Sequence, residues 1–230
     1  MNTILQDSAF FGVTVSLLAY GAGNFLKRRF RLSIFNPLLI SIAATMLLLR
    51  GGHIDYPTYK AGASILSWLL TPATVCLAIP LYEKMDLLKQ NWKALVAGIG
   101  AGVITSLICV FTMALIFHLN HTEYVTLLPK SITTAIGIGV SEELGGYVTI
   151  TVAVIIITGI LGNMIAEAVC RILRIHHPIA KGVAIGTASH AIGTVKAMEL
   201  GKVEGSVSSL SIVVAGLLTV IGASFVQNFI

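Results

Sequence analysis

The sequence predicts an all-α integral membrane protein with about six transmembrane helices and two re-entrant or broken-helix segments. Three observations carry this. Only 11% of the 230 residues are charged while 56% are hydrophobic, and the mean hydropathy is +0.90. A soluble domain carries roughly 25% charged residues, so this chain cannot cover a water-facing surface. Several apolar runs reach the ~20 residues that a hydrocarbon core of roughly 30 Å requires. Between them lie two stretches, about 124–145 and 182–203, that are apolar on average yet crowded with Gly, Ser and Thr.

The first span is expected over about 8–26, and the residues before it lack the basic start of a cleavable signal. The others are expected over about 32–49, 61–82, 94–117, 147–170 and 206–228, in one membrane domain over 1–230. Cys76, Cys109 and Cys170 lie far apart inside apolar runs. That spacing offers neither a CxxC metal pattern nor a disulfide framework, and the three read as small packing residues.

Charge sets the orientation. Lys27-Arg28-Arg29-Phe30-Arg31 is the densest basic cluster, and the positive-inside rule places it in the cytoplasm with the N-terminus outside. If the two polar segments return to the side they came from, twelve Lys and Arg lie inside and two, Arg50 and Lys60, lie outside. If both cross fully, the split is nine to five. The stronger asymmetry favours re-entrance, with both termini outside. The net charge of +5 is therefore topological, because the basic residues flank apolar runs and no aromatic-basic patch accompanies them; nucleic acid is not an expected partner.

Non-helical backbone at membrane depth survives only where protein buries it or where it lines a wet cavity. Two such segments from opposite faces imply a central polar site, an arrangement found in transporters built from broken helices and inverted repeats. The likeness of Leu69-Leu70-Thr71-Pro72-Ala73-Thr74 to Leu127-Leu128-Pro129-Lys130-Ser131 hints at such a repeat.

Three constellations could bind a solute. Thr71, Pro72 and Thr74 interrupt the third span, where proline frees carbonyls one turn back; a packing kink is the alternative. Pro129, Lys130, Ser131, Thr133 and Thr134 set an ammonium among hydroxyls. A lysine at mid-membrane costs on the order of 3 kcal/mol, so it is paired, snorkelling or functional, and here it makes an anion seat for a carboxylate. Gly186, Thr187, Ser189, His190, Gly193 and Thr194 combine helix-breaking glycines with hydroxyls and a histidine deep in a membrane segment. His190 either donates to a carbonyl or links transport to protons. No metal-ligand spacing and no nucleophile-base set emerges, so neither a metal nor an enzymatic activity is expected. Glu167 and Arg171, one turn apart, read as an architectural pair. Gly98 and Gly102 have the small-xxx-small spacing of helix packing.

Taken in order, several motifs resemble the LrgB/CidB family of membrane proteins, which includes a plastid glycolate/glycerate transporter domain. They are Asn36-Pro37-Leu38, Leu70-Thr71-Pro72-Ala73, Ile79-Pro80-Leu81-Tyr82, Leu128-Pro129-Lys130-Ser131, Thr158-Gly159-Ile160-Leu161-Gly162, the Gly186 to Thr194 stretch and Glu204-Gly205. Ala135 stands where the family pattern has proline. The resemblance implies a multi-pass protein of the bacterial plasma membrane that acts with a smaller LrgA-like membrane partner. It implies either an antiholin-like modulator of murein hydrolase activity and autolysis or a transporter of small carboxylates. Polar residues gathered in broken segments rather than along one helix face favour export or exchange of pyruvate, glycolate or related 2-hydroxy acids. Coupling to protons or sodium, no other cofactor, and homo-oligomerisation in the lipid bilayer complete the expectation.

Overall fold

In the computed structural model, residues 10–30, 35–76 and 78–230 are described, and among them all regular structure is helical. The chain forms two compact units, one up to Leu77 and one from Ala78.

The first unit contains α1 (Phe11–Phe30), α2 (Pro37–Gly51), α3 (Tyr56–Gly62) and α4 (Ser64–Cys76). Helix α1 begins near the expected boundary but runs on through Lys27, Arg28 and Arg29, basic residues suited to the negative end of the helix dipole. Asn36 caps α2, its side chain accepting from the amides of Leu38 and Leu39, and Pro37 occupies the first turn where its missing N–H costs nothing. Gly12 lets α1 meet the backbone of Tyr59 and Gly62, and the Ser16 and Tyr59 hydroxyls lie 2.7 Å apart. Over the third expected span, 61–82, the described residues are helical in α3, α4 and α5 (Ala78–Glu83), with a turn at Ala63 and with Leu77 outside the described residues. Pro72 lies inside α4, whereas Pro129 lies in a turn, so the two stretches that suggested a repeat differ locally.

The second unit continues with α6 (Met85–Gln90), α7 (Trp92–Ile116), α8 (His121–Leu127), α9 (Thr134–Glu143), α10 (Val148–Ile172), α11 (Pro178–Leu200) and α12 (Lys202–Val226). Among the described residues three helices are long and apolar enough to cross a membrane: α7, α10 and α12 with its 3-10 extension to Phe229. At 25 residues each, α7 and α10 extend about 37 Å. These match three of the six expected spans. Helices α7 and α12 run parallel, since Leu95 clusters with Val207 and Leu107 meets Gly222. Helix α10 runs the other way, with Thr151 beside Thr126 at one end and Glu167 beside Lys196 at the other.

Both polar segments fold back on themselves. In the first, a capping box of Asn120 and Glu123 starts α8, the chain turns over 128–133, and α9 returns. Gly146 comes back beside Thr126, where a side chain would strike the hydroxyls of Ser141 and Thr126. Thr151 Oγ1 lies 2.9 Å from Thr126 O and 2.8 Å from Ser141 Oγ, which seals the junction without water. Tyr124, Val125, Leu128 and Ile132 bury this hairpin against α7 and α12.

The second hairpin is α11. Its helical pattern is continuous by hydrogen bonds except at His190, where φ is 40° and ψ is −139°. In a straight helix residues 185 and 193 would lie about 12 Å apart, yet a Cβ on Gly193 would be 3.1 Å from Ile185 Cγ2. Gly182 packs on Glu204 and Val207 while Met198 packs on Gly205, so residues 182 and 198 sit at the same level of α12. Residues 178–189 descend and residues 191–200 climb back. The two hairpins start from opposite ends of the unit. As a result Lys84, Lys89, Lys93, Arg171, Arg174, Lys181, Lys196 and Lys202 gather at one end of it.

Candidate functional site

A cavity of about 470 Å³ lies within the second unit, where the two hairpin tips approach each other. One wall carries Lys130 and Ser131 from the first tip, and another carries Thr187 and Ser189 from the second. Helices α7 and α10 supply the remaining sides.

Glycines in α7 and α10 decide how closely the second tip approaches. A Cβ on Gly102 would lie 2.7 Å from Thr187 Cγ2, and one on Gly162 would lie 2.6 Å from Ser189 Cβ. Gly98 likewise faces Val183, so the small-residue spacing in α7 serves packing, as its pattern suggests. One turn beyond Gly102, Ser106 Oγ lies 3.4 Å from Ser131 Oγ. Helix α7 thus receives both tips on one face, about 5.4 Å apart along its axis.

Lys130 is half-buried, and its ammonium donates to Ser131 Oγ at 2.9 Å. Among the described residues no carboxylate pairs with it. An ammonium has three donors, and here two are left for water or a ligand. Pro129 is fully buried and its ring meets the position of Gly137, while Thr133 caps α9 and Thr134 begins it. These three shape the turn that presents Lys130 without lining the cavity.

The second constellation divides in the same way. Thr187 and Ser189 line the cavity, and Thr187 Oγ1 is buried without a hydrogen-bond partner among the described residues. Gly186 fits against Ser208 and Ser211, and Gly193 against Ile185. Thr194 Oγ1 donates to His190 O at 2.9 Å and lies 2.7 Å from Ser208 Oγ. His190 is 2% exposed, with Nε2 at 3.1 Å from Ile155 O. A carbonyl only accepts, so Nε2 carries a proton and Nδ1 remains the site where a second could bind. A positive φ at a non-glycine residue costs on the order of 1–3 kcal/mol, and these buried bonds hold the break against it. Gly186, His190, Gly193 and Thr194 therefore build the tip that carries Thr187 and Ser189.

Thr71, Pro72 and Thr74 lie on α4 of the first unit, and the cavity is built by residues of the second. Glu167 pairs with Arg171 at 3.3 Å, as its spacing suggests, and also with Lys196 at 3.1 Å; Lys196 reaches Glu199 at 3.5 Å. Exposed pairs of this kind contribute about 0–1 kcal/mol each, but the Lys196 bridge ties the returning arm of α11 to α10. Asn163 Nδ2 adds a hydrogen bond to Ile192 O at 2.8 Å.

Four of the polar or thiol-bearing cavity residues were not among the expected site residues: Thr105, Ser106, Cys109 and Thr158. The signal was present for two of them. Gly98, Gly102, Ser106 and Cys109 form a small-residue stripe on one face of α7 that continues past the two glycines. Cys109 is exposed and lines the cavity, which corrects its reading as a packing residue; Cys170 is buried as expected.

A sequence model of the LrgB-like family matches residues 16–229. The protein named antiholin-like protein LrgB of Bacillus cereus (strain B4264) is 35% identical over 222 residues, covering 96% of both chains. Its namesake in Bacillus anthracis (strain A0248) shows the same identity and coverage. No solved structure matches.

Proposed function

The chain belongs to the LrgB-like family of multi-pass bacterial membrane proteins, and from that premise we propose that it is a secondary transporter of small carboxylates. The observation that carries this reading is Lys130, an ammonium without a carboxylate partner among the described residues, which shares one cavity with the hydroxyls of the opposite hairpin. A desolvated anion needs a positive counter-charge and fixed donors, and charge-assisted hydrogen bonds are about twice as strong as neutral ones. Hairpins that enter from opposite ends give a site reachable from either side by small movements of one tip.

In this reading the chain spans six times with both hairpins re-entrant and the basic end of the second unit in the cytoplasm. Pyruvate, glycolate and related 2-hydroxy acids are the expected substrates, with proton or sodium coupling. A smaller LrgA-like partner belongs to the same proposal. Uptake of labelled short carboxylates into proteoliposomes, with and without a pH gradient, tests it. Saturable uptake is the expected result.

The relatives' names favour a second reading, modulation of murein hydrolases as an antiholin-like protein. A transporter that alters the balance of weak acids across the membrane would reach autolysis indirectly, so the two readings differ in what is primary. Large unselective conductances from the purified protein, with no saturable uptake, would make pore modulation primary.

A further inference from the structure

Hydroxyls inside membrane helices ordinarily satisfy themselves by donating to the carbonyl one turn back. This chain follows the rule widely: Ser16, Thr105, Ser209, Ser211 and Ser224 all donate to the carbonyl four residues earlier, at 2.7 to 3.0 Å. Thr158, Thr187 and Ser189 do not, and neither do Thr45, Thr58 and Thr219, but only the first three line the cavity. None of the three hydroxyls has a hydrogen bond among the described residues, and all three side chains line the one cavity.

For Thr187 this is costly: its Oγ1 is buried without a partner among the described residues, and such a hydroxyl costs about 1–3 kcal/mol. Ser189 is 3% exposed and Thr158 half-buried, and a ligand that brings oxygen atoms into the space all three line would give each of them a partner. Ser189 sits against Gly162, one turn from Thr158, so these two come from the α10 side; Thr187 sits against Gly102 on the α7 side. Lys130 and Ser131 face the same cavity one turn further along α7, next to Ser106.

We infer that Thr158, Thr187 and Ser189 form an uncharged half-site that reads oxygen substituents of the substrate beyond its carboxylate, with Thr158 the specificity-determining member. This rests on the transport reading above and deepens it. The carboxylate sits at Lys130, and a hydroxyl or oxo oxygen on the adjoining carbon accepts from two of the three hydroxyls, a substrate hydroxyl donating in turn to the third. The two tips pack on α7 one turn apart, at Gly102 and at Ser106, and both line the one cavity. The half-site selects by leaving its own hydroxyls unpaired when the substrate lacks that oxygen, the mechanism by which polar pockets reject deoxygenated analogues.

The test compares lactate with propionate, and glycolate with acetate, in proteoliposomes of the full chain. The wild-type protein is expected to favour the oxygenated acid of each pair. Thr158→Val should reduce that preference about tenfold or more, weakening the oxygenated acids and tightening propionate and acetate, because one unpaired hydroxyl is gone. Thr158→Ser, which keeps the hydroxyl, should restore the preference. If Thr158→Val transports with the wild-type preference, or weakens all four acids alike, the half-site is wrong while carboxylate transport stands. If the wild-type protein takes up none of the acids, the transport reading falls and this inference falls with it.

Discussion

Ser106 Oγ on α7 and Ser131 Oγ at the first hairpin tip lie 3.4 Å apart, one turn from the glycine on which Thr187 packs. Segments 25 and 85 residues distant from Ser106 and Gly102 are thereby held on one helix face. Replacement of a few residues at this meeting point separates the contributions of charge, space and access.

Lys130→Gln removes the charge but keeps a donor of similar length. Carboxylate affinity is expected to fall roughly tenfold to a hundredfold, matching the ~1.5–3 kcal/mol of a hydrogen bond to a charged group, while membrane insertion and thermal stability hold. Concentration dependence of uptake gives the answer. Normal affinity in the variant would mean that Lys130 only snorkels.

Space at α7 is tested by two alanines. A Cβ on Gly102 would lie 2.7 Å from Thr187 Cγ2, whereas one on Gly100 meets nothing within 4 Å. Gly102→Ala should lower the melting temperature in detergent and disturb transport. Gly100→Ala should leave transport within error and hold or raise the melting temperature, since replacing a helix glycine removes a propensity cost of about 1 kcal/mol. Equal behaviour of the two variants would contradict the close approach of α11 to α7.

Access to the cavity is reported by Cys109, which is exposed and lines it, while Cys170 is buried. In a protein with Cys76 replaced by Ser, alkylation of Cys109 should block uptake, and a transported carboxylate should slow the reaction. Protection failing for a carboxylate that is transported would place the substrate path elsewhere.

Orientation follows from the eight basic residues at one end of the second unit. With native cysteines removed, a cysteine in place of Glu142 should react with an impermeant external reagent, and one in place of Arg174 should not. The reverse pattern would invert the topology.

His190 separates anchoring from proton coupling. Its Nε2 bond to Ile155 O supports the break in α11, and Nδ1 is left to bind a proton. His190→Gln should flatten the pH dependence of uptake with substrate affinity kept. An unaltered pH profile would leave His190 with the anchoring role alone.

Length and apolarity were enough to read α7, α10 and α12 from the sequence, because a bilayer-crossing helix is specified by composition within one segment. The two hairpins were legible for a related reason: Gly, Pro, Ser and Thr crowded into an apolar stretch cannot make a lipid-facing helix. Lys130, Ser131, Thr187 and Ser189 followed from that crowding. The start of the third span was less legible, because apolar composition over 61–82 does not register the turn at Ala63 between α3 and α4. Only the tertiary structure decided which hydroxyls face the cavity. Thr105 and Thr158 are chemically alike and both lie in helices, yet one bonds Ala101 O and the other has no partner among the described residues. That Thr187 and Ser189 reach the same cavity depends on Gly162 admitting Ser189 and on the fold-back at His190, contacts between residues 27 and 35 positions apart. Local sequence fixes what a segment can form, whereas the meeting of segments fixes which of its groups are left to bind.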